Sequence, residues 1–221
     1  MERARRSVML LGATGLVGRE ILRLLCAEAD IDRIVVLVRR PIKAADDPKV
    51  SIEVVDFDAL ESKAELFSVD QIFCALGTTI KQAGSQPAFR RVDFEYPLIA
   101  ARLGVERGAT HYLVVTAVGA SATSRVFYNR VKGELEDALR TLQYRSVTIA
   151  RPSLLIGDRE QHRFGEELGK RFGWLTPGRY RPVTAEAVAL ALVLAARENR
   201  PGMRIIESED IRRLAAEHAA S

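Results

Sequence analysis

The stretch SVMLLGATGLVGREI, residues Ser7–Ile21, decides how this chain is read. Its first half, SVMLLG, is an unbroken apolar run of the length of a buried strand. Its second half opens a helix in which Val17, Ile21, Leu24 and Leu25 fall on one face. Between them stand Gly12, Gly15 and Gly18, a GxxGxxG pattern. Glycines at this spacing are a weak signal in isolation, but a position between a strand and a helix gives them a mechanism. Gly12 permits the tight turn, Gly15 lets backbone amides approach a pyrophosphate, and Gly18 allows the helix to pack close to the strand. The positive end of the helix dipole then faces the phosphates.

Outward from this turn, apolar runs alternate with amphipathic ones. RIVVLVR (Arg33–Arg39), SIEVVDF (Ser51–Phe57), QIFCALG (Gln71–Gly77), HYLVVTA (His111–Ala117) and SVTIARP (Ser146–Pro152) read as further strands. Runs without polar interruption fit parallel strands covered on both faces. Helices are expected over Leu16–Glu28, over most of Ala88–Gly108 with a disturbance at Pro97, over Arg125–Leu142, and over Ala185–Arg197 capped by Thr184. GMRIIES (Gly202–Ser208) reads as a short last strand, with Ser208 capping a terminal helix. This alternation implies an α/β fold, a doubly wound parallel sheet of Rossmann type. The whole chain, 1–221, is expected to form one NAD(P)-binding domain, with residues 155–221 as a small C-terminal part covering a substrate. The glycine-rich segment Arg159–Arg181 should be a short helix and loops.

Composition narrows the function classes. A hydrophobic fraction of 48% with 28% charged residues, over 221 residues, is that of a globular domain. Such a domain buries roughly 70% of its unfolded surface and needs no disulfide or metal to hold it. Cys26 and Cys74 lie in apolar segments without metal or redox spacing, and the histidines are scattered, so no metal site is expected. The N-terminal apolar run is too short for a signal peptide, and no stretch reaches the roughly 20 apolar residues of a membrane span. A cytoplasmic protein with no membrane partner is expected. The net charge of +4 comes from dispersed arginines without a basic–aromatic recognition stretch, so nucleic acid is not an expected partner.

The second strand ends in Arg39 and Arg40, where an acid would bond the adenosine ribose of NAD. Two guanidinium groups suit a 2′-phosphate, which makes NADP (NADPH) the preferred cofactor over NAD. Asp56, after the third strand, could accept from the adenine amino group. Gly77 and Thr78, after the fourth, should line the other side of the cofactor.

In the next helix Tyr128 and Lys132 stand four residues apart, hence on one face. An ammonium beside a tyrosine helps the phenol give or take a proton at a carbonyl or alcohol while hydride moves. A surface or core tyrosine with a solvated lysine is the bland alternative; the preceding strand and turn favour the chemical reading.

GATGLVG, FCALGTTIKQAGS, VDFEYP, VVTAVGASATS, YNRVKGELE and IARPSLLIGDR together resemble the atypical short-chain dehydrogenases/reductases. Within them the match is to the branch that includes the human HIV-Tat-interacting oxidoreductase-like protein and small bacterial relatives. The resemblance runs from about Val8 to Arg159, with weaker similarity through RPVTAEAVALALVLAA. It implies that Gly12, Thr14, Gly15, Leu16, Val17 and Gly18 hold the pyrophosphate, and that Arg39 and Arg40 meet the adenosine phosphate. Asp56 and Phe57 would meet the adenine, and Ala75, Leu76, Gly77 and Thr78 border the ribose. Tyr128 and Lys132 would be the catalytic pair, with Lys132 also on the nicotinamide ribose. Arg151, Pro152, Ser153 and Leu154 would pass beside the nicotinamide.

The chain departs from the family where two serines end the fifth strand: here stand Thr116 and Ala117. Thr116 is the expected polarising donor, with Ser121 and Ser124 as alternatives. Two functions fit: an NADP(H)-dependent oxidoreductase acting on a small carbonyl or alcohol, or an NADP(H)-binding regulatory domain with a protein partner and little turnover. A sugar-nucleotide epimerase or dehydratase is disfavoured by the short tail, in which His162, Phe164, Trp174 and Tyr180 are candidate pocket residues. By analogy with related families, a homodimer through the Tyr128 helix is expected.

Overall fold

The computed structural model describes residues 5–43, 47–156 and 180–220 of the chain. In chain order its elements are β1 (Arg6–Leu11), α1 (Leu16–Ala27), β2 (Ile31–Val38), β3 (Val50–Val54), 3₁₀ turns over Phe57–Phe67 and β4 (Gln71–Cys74). Next come α2 (Ile80–Ala83), α3 (Gln86–Arg90), a π-helical turn (Arg91–Glu95), α4 (Tyr96–Glu106), β5 (His111–Val115), α5 (Phe127–Arg140) and β6 (Ser146–Arg151). A short ribbon of β7 (Leu155–Ile156) and β8 (Val183–Thr184) leads to α6 (Ala185–Glu198), β9 (Gly202–Glu207) and α7 (Ser208–Ala219).

β9 joins the other main strands to give the order β3-β2-β1-β4-β5-β6-β9, all parallel. This is the doubly wound sheet that the alternating pattern implied. Period-two geometry splits each strand between two cores. Val8, Leu10, Ile34, Val36, Phe73 and Leu113 face α1 and α6. Met9, Leu11, Val35, Leu37, Ile72, Tyr112 and Val114 face the 3₁₀ turns, α4 and α5. Each fully buried aliphatic or aromatic side chain contributes about 1.5–3 kcal/mol, and the central strands carry these on both faces.

One local expectation holds and one is corrected. Pro97 does disturb the helix of residues 88–108. It sits near the start of α4, and the chain before it takes a π turn in which Tyr96 N donates to Arg91 O. The physical reason is that Pro97 has no N–H to give the Asp93 carbonyl, so the ladder loosens by one residue there. Ser208 does not cap α7; Glu207 holds that position without a side-chain bond. The Ser208 hydroxyl instead accepts from Ser153 N (3.3 Å) and Arg212 Nη1 (3.1 Å), tying α7 to the end of β6. Thr184 caps α6 as expected, accepting from Ala187 N.

Candidate active site

Between β1 and β4 the winding of the sheet reverses, and ligands of doubly wound sheets gather outside the carboxyl ends at such a point. A cleft of about 490 Å³ lies there. Its floor is Gly12, Ala13, Thr14 and Gly15 on one side and Ala75, Leu76 and Gly77 on the other. Gly12 has φ +87°, and a side chain there would collide with the Ala75 carbonyl. A side chain at Gly18 would overlap the Gly12 carbonyl, so α1 is seated directly on the turn.

The outer end of the cleft is formed by Leu37, Val38, Arg39, Arg40, Pro41 and Ile42, with Phe57, Val92 and Tyr96 opposite. Both arginines are exposed. Pro41, Ile42, Val92 and Tyr96 are additions to the residues expected from sequence; nothing local in VDFEYP announces that its π turn faces β2. Arg19 Nε donates to Thr14 O (3.1 Å), which sets another guanidinium beside the turn.

Other expected residues stand elsewhere. Val17 and Gly18 are buried beneath the turn, and Leu16 packs against the core, so none of the three lines the cleft. The Asp56 carboxylate caps the following 3₁₀ turn, accepting from Asp58 N (2.9 Å). Tyr96 donates to Asp58 (2.7 Å), and burial, followed by that bond, pushes its hydroxyl up to about 12.

Tyr128 and Lys132 lie one turn apart on α5, which follows β5, and neither is among the residues lining the cleft. Tyr128 is half-buried, its ring 5.5 Å from that of Phe89. Lys132 is 3% exposed, and its Nζ lies 2.7 Å from Oδ1 of Asp93, itself 1% exposed. The other carboxylate oxygen, Oδ2, accepts from Thr78 N (3.0 Å). Burial opposes the charge on Lys132, but the Asp93 carboxylate more than offsets it, and the ammonium is held charged above its ordinary range. Asp93 was not foreseen: an aspartate in an amphipathic helix reads as a solvated face, and only the π turn brings it inward.

Thr116 is 3% exposed, and its hydroxyl donates to Glu136 Oε1 (2.7 Å). Glu136 also pairs with Arg151 through Nε (3.0 Å to Oε1) and through Nη2, while Arg151 Nη1 reaches Glu207 (2.9 Å). These bonds, Glu136 first, raise the Arg151 pKa further. Thr116 thus has its proton committed to a buried carboxylate instead of a substrate oxygen. Of the alternatives, Ser121 shares a hydrogen bond with Thr123 (3.0 Å), and Ser124 accepts from Val126 N (3.2 Å). Pro152 is buried, its carbonyl accepting from Val118 N; Ser153 Oγ donates to Arg181 O; Leu154 is exposed. Tyr180 is 39% exposed, whereas His162, Phe164, Trp174 and most of the segment Arg159–Arg181 lie outside the described residues.

This arrangement has relatives. Residues 12–198 match the model of a family described as NAD(P)H-binding. The chain belongs to that family. It is 32% identical over 215 residues to Protein HTATIP2 of Rattus norvegicus, covering 93% of this chain and 88% of that one. It is also 32% identical over 216 residues to "Protein FMP52, mitochondrial" of Eremothecium gossypii, covering 93% and 95%. Among solved structures, MoeE5 in complex with UDP-glucose and NAD shares the fold with a TM-score of 0.70 at 15% identity, over 97% of this chain and 82% of that one. A short chain dehydrogenase family protein from Francisella tularensis superposes with a TM-score of 0.70 at 13% identity, over 95% and 100%. Among the described residues of this NAD(P)H-binding protein, no helix is long and apolar enough to cross a membrane, and no cluster of His, Cys, Asp and Glu forms a metal site.

Proposed function

We propose that this member of the NAD(P)H-binding family is an NADP(H)-dependent oxidoreductase acting on a small carbonyl or alcohol. The observation that carries the reading is Lys132, buried and held charged one turn from Tyr128 and paired with Asp93, which lies beside Gly77 of a cleft that also presents Arg39 and Arg40. A dinucleotide suits the cleft: its floor is mostly glycine and alanine, and its rim carries two exposed cations with no acid among the described residues that line it. Bound there, the cofactor supplies or accepts hydride. Arg39 and Arg40 would pair with a 2′-phosphate, and the turn from Gly12 to Gly15 would receive the pyrophosphate. Lys132 would orient the nicotinamide ribose, while Tyr128 gives its phenolic proton to the reduced carbonyl oxygen or takes it from an alcohol. Both cysteines are free, in keeping with a reducing compartment such as the cytoplasm.

One observation favours a second reading, an NADP(H)-binding regulatory domain with a protein partner and little turnover. The Thr116 proton is engaged by Glu136, and Ala117 has none to offer. Removing one such donor costs about 3–4 kcal/mol of transition-state stabilisation. Calorimetric titration of the purified protein and of Lys132→Ala with NADPH and NADH tests the shared core of both readings. Tighter binding of NADPH than of NADH, weakened in the variant, is the expected result; no binding of either nucleotide overturns both. A screen of aldehydes and ketones with Tyr128→Phe as control then separates them, since turnover lost in the variant supports the reductase.

A further inference from the structure

Asp93 is a buried charge beside the expected catalytic pair that the pair itself does not account for. Its carboxylate joins three elements: Oδ1 to Lys132 Nζ on α5 (2.7 Å), Oδ2 to the Thr78 amide after β4 (3.0 Å), and its own π turn, whose neighbour Val92 lines the cleft. A side chain at Gly77 would stand 3.6 Å from Oδ1, so the carboxylate lies directly under the cleft floor. A buried ion pair of this kind contributes little net stability, because desolvation of two charges offsets their attraction and an apolar pair of similar volume does as well. Its placement is better explained by what it does to Lys132.

We propose that Asp93 is a positioning residue of the site, which keeps Lys132 protonated and aimed and locks it to the Gly77–Thr78 stretch bordering the cofactor cleft; this rests on the oxidoreductase reading. The charged and titratable groups facing Lys132 are Asp93, Tyr128 on α5 and Cys74 on β4. The Cys74 thiol is pushed up by burial, which leaves Asp93 as the carboxylate facing the ammonium; burial raises the Asp93 pKa too, while Lys132 and the Thr78 amide pull it back down. Without it, a lysine this buried sheds its proton well below the ordinary range, and a neutral amine binds the ribose hydroxyls and supports Tyr128 less well. Asp93 also transmits the position of the Gly77–Thr78 backbone to α5, so the two walls of the site move together.

The test is fluorescence titration with NADPH, from about pH 6 to about pH 10, of the wild type, Asp93→Asn, Lys132→Met and the double variant. Asparagine keeps an acceptor for the Thr78 amide and removes only the charge. Wild-type affinity is expected to stay flat to about pH 9, whereas Asp93→Asn matches it near pH 6 and loses about tenfold or more as Lys132 deprotonates. Lys132→Met should be uniformly weak, and the double variant should equal it. A flat, wild-type profile for Asp93→Asn overturns the proposal. So does a loss independent of pH that adds to that of Lys132→Met, the mark of a merely structural residue. The lysine Nζ resonance of the wild type gives a readout that needs neither nucleotide binding nor a folded variant. Titration of Lys132 above the ordinary lysine range supports the proposal, and titration below it sinks the proposal. Failure of the wild type to bind nucleotide, by contrast, overturns the cofactor reading and leaves this readout to decide the role of Asp93 towards Lys132.

Discussion

The hydroxyl of Thr116 donates to Glu136 across 2.7 Å, from the exit of β5 to the inner face of α5. Glu136 is 1% exposed and also clamped by Arg151, so this acceptor is fixed before any substrate arrives. The bond gives the threonine hydroxyl a role other than meeting a substrate oxygen: it supplies a second donor to a buried carboxylate oxygen that also accepts from Arg151 Nε. Backbone pairing continues past β5, from Thr116 N to Ala150 O and Val118 N to Pro152 O, so Thr116 and Ala117 project to opposite sides.

It follows that a hydroxyl placed at Ala117 would point where that of Thr116 does not. If the chain is a reductase limited by its missing donor, Ala117→Ser should raise kcat on a carbonyl substrate by roughly 10²-fold, the inverse of removing such a donor. KM should change little. Thr116→Val should leave kcat alone and instead lower stability by about 1–3 kcal/mol, since Glu136 loses one of its hydrogen bonds. Steady-state kinetics and urea unfolding of the two variants distinguish these outcomes. A gain from Thr116→Val, or none from Ala117→Ser, would place the donor elsewhere.

Arg39 and Arg40 make a prediction about discrimination. Charge-assisted hydrogen bonds to a phosphate contribute about 1.5–3 kcal/mol each, so Arg39→Ala or Arg40→Ala should weaken NADPH roughly 10–100-fold and leave NADH nearly unchanged. The wild-type preference should also shrink with added salt, because both side chains are exposed. Equal losses for both nucleotides would show that the arginines serve the pyrophosphate, or only the shape of the rim.

Much of this molecule was legible in its sequence, because parallel strands buried on both faces leave unbroken apolar runs and the phosphate turn leaves glycines at fixed offsets. RIVVLV became the last six residues of β2, and Gly12 took the positive φ that its turn demanded. The interior of the site was less legible, and for one reason. Asp93–Lys132, Thr116–Glu136 and Glu136–Arg151 are each made across elements, by carboxylates that local patterning assigns to solvated helix faces. Glu136 and Arg151 both stood in quoted motifs, YNRVKGELE and IARPSLLIGDR, yet nothing in either stretch states that α5 and β6 bring them together. Ser208 misled in the same way: a serine before two acids has the local chemistry of a cap, but the Ser153 amide and Arg212 engage its hydroxyl.

Gly133, immediately after Lys132, has its own role. A side chain there would overlap the backbone of Ser121 and Ala122, so the loop leaving β5 lies flat on α5 only because this position is bare. Ser121 N also donates to the Asn129 carbonyl, pinning the loop beside Tyr128. Gly133→Ala improves helix propensity by about 1 kcal/mol but must displace backbone, so a net loss of roughly 1–3 kcal/mol is expected. A fall in thermal midpoint together with weakened NADPH binding would show that the loop and the Tyr128–Lys132 face are set jointly. An unchanged midpoint would mean that the loop shifts freely.

His111 carries the last prediction, at the opposite end of the sheet. Its ring is 1% exposed, with Nε2 2.9 Å from the Thr148 hydroxyl. Burial, and then the nearby charge of Arg6, lowers its pKa to about 4 from 6.5. Between those values the unfolded chain takes up a proton that the folded protein refuses, so stability must fall as pH drops through this window and stop falling from this cause below about pH 4. A gap of roughly 2.5 pH units corresponds to about 3 kcal/mol. His111→Gln, which can still bond Thr148, removes this contribution while leaving the carboxylates to titrate as before. Urea unfolding of both proteins at about pH 7 and about pH 4 should therefore show the wild type losing about 3 kcal/mol more than the variant. Arg6→Met should narrow the difference by easing protonation of the ring, although its lost ion pair with Asp30 will lower stability at every pH. Identical acid losses in wild type and His111→Gln would mean that the ring protonates in the folded state and that this end of the sheet opens more readily than its burial indicates.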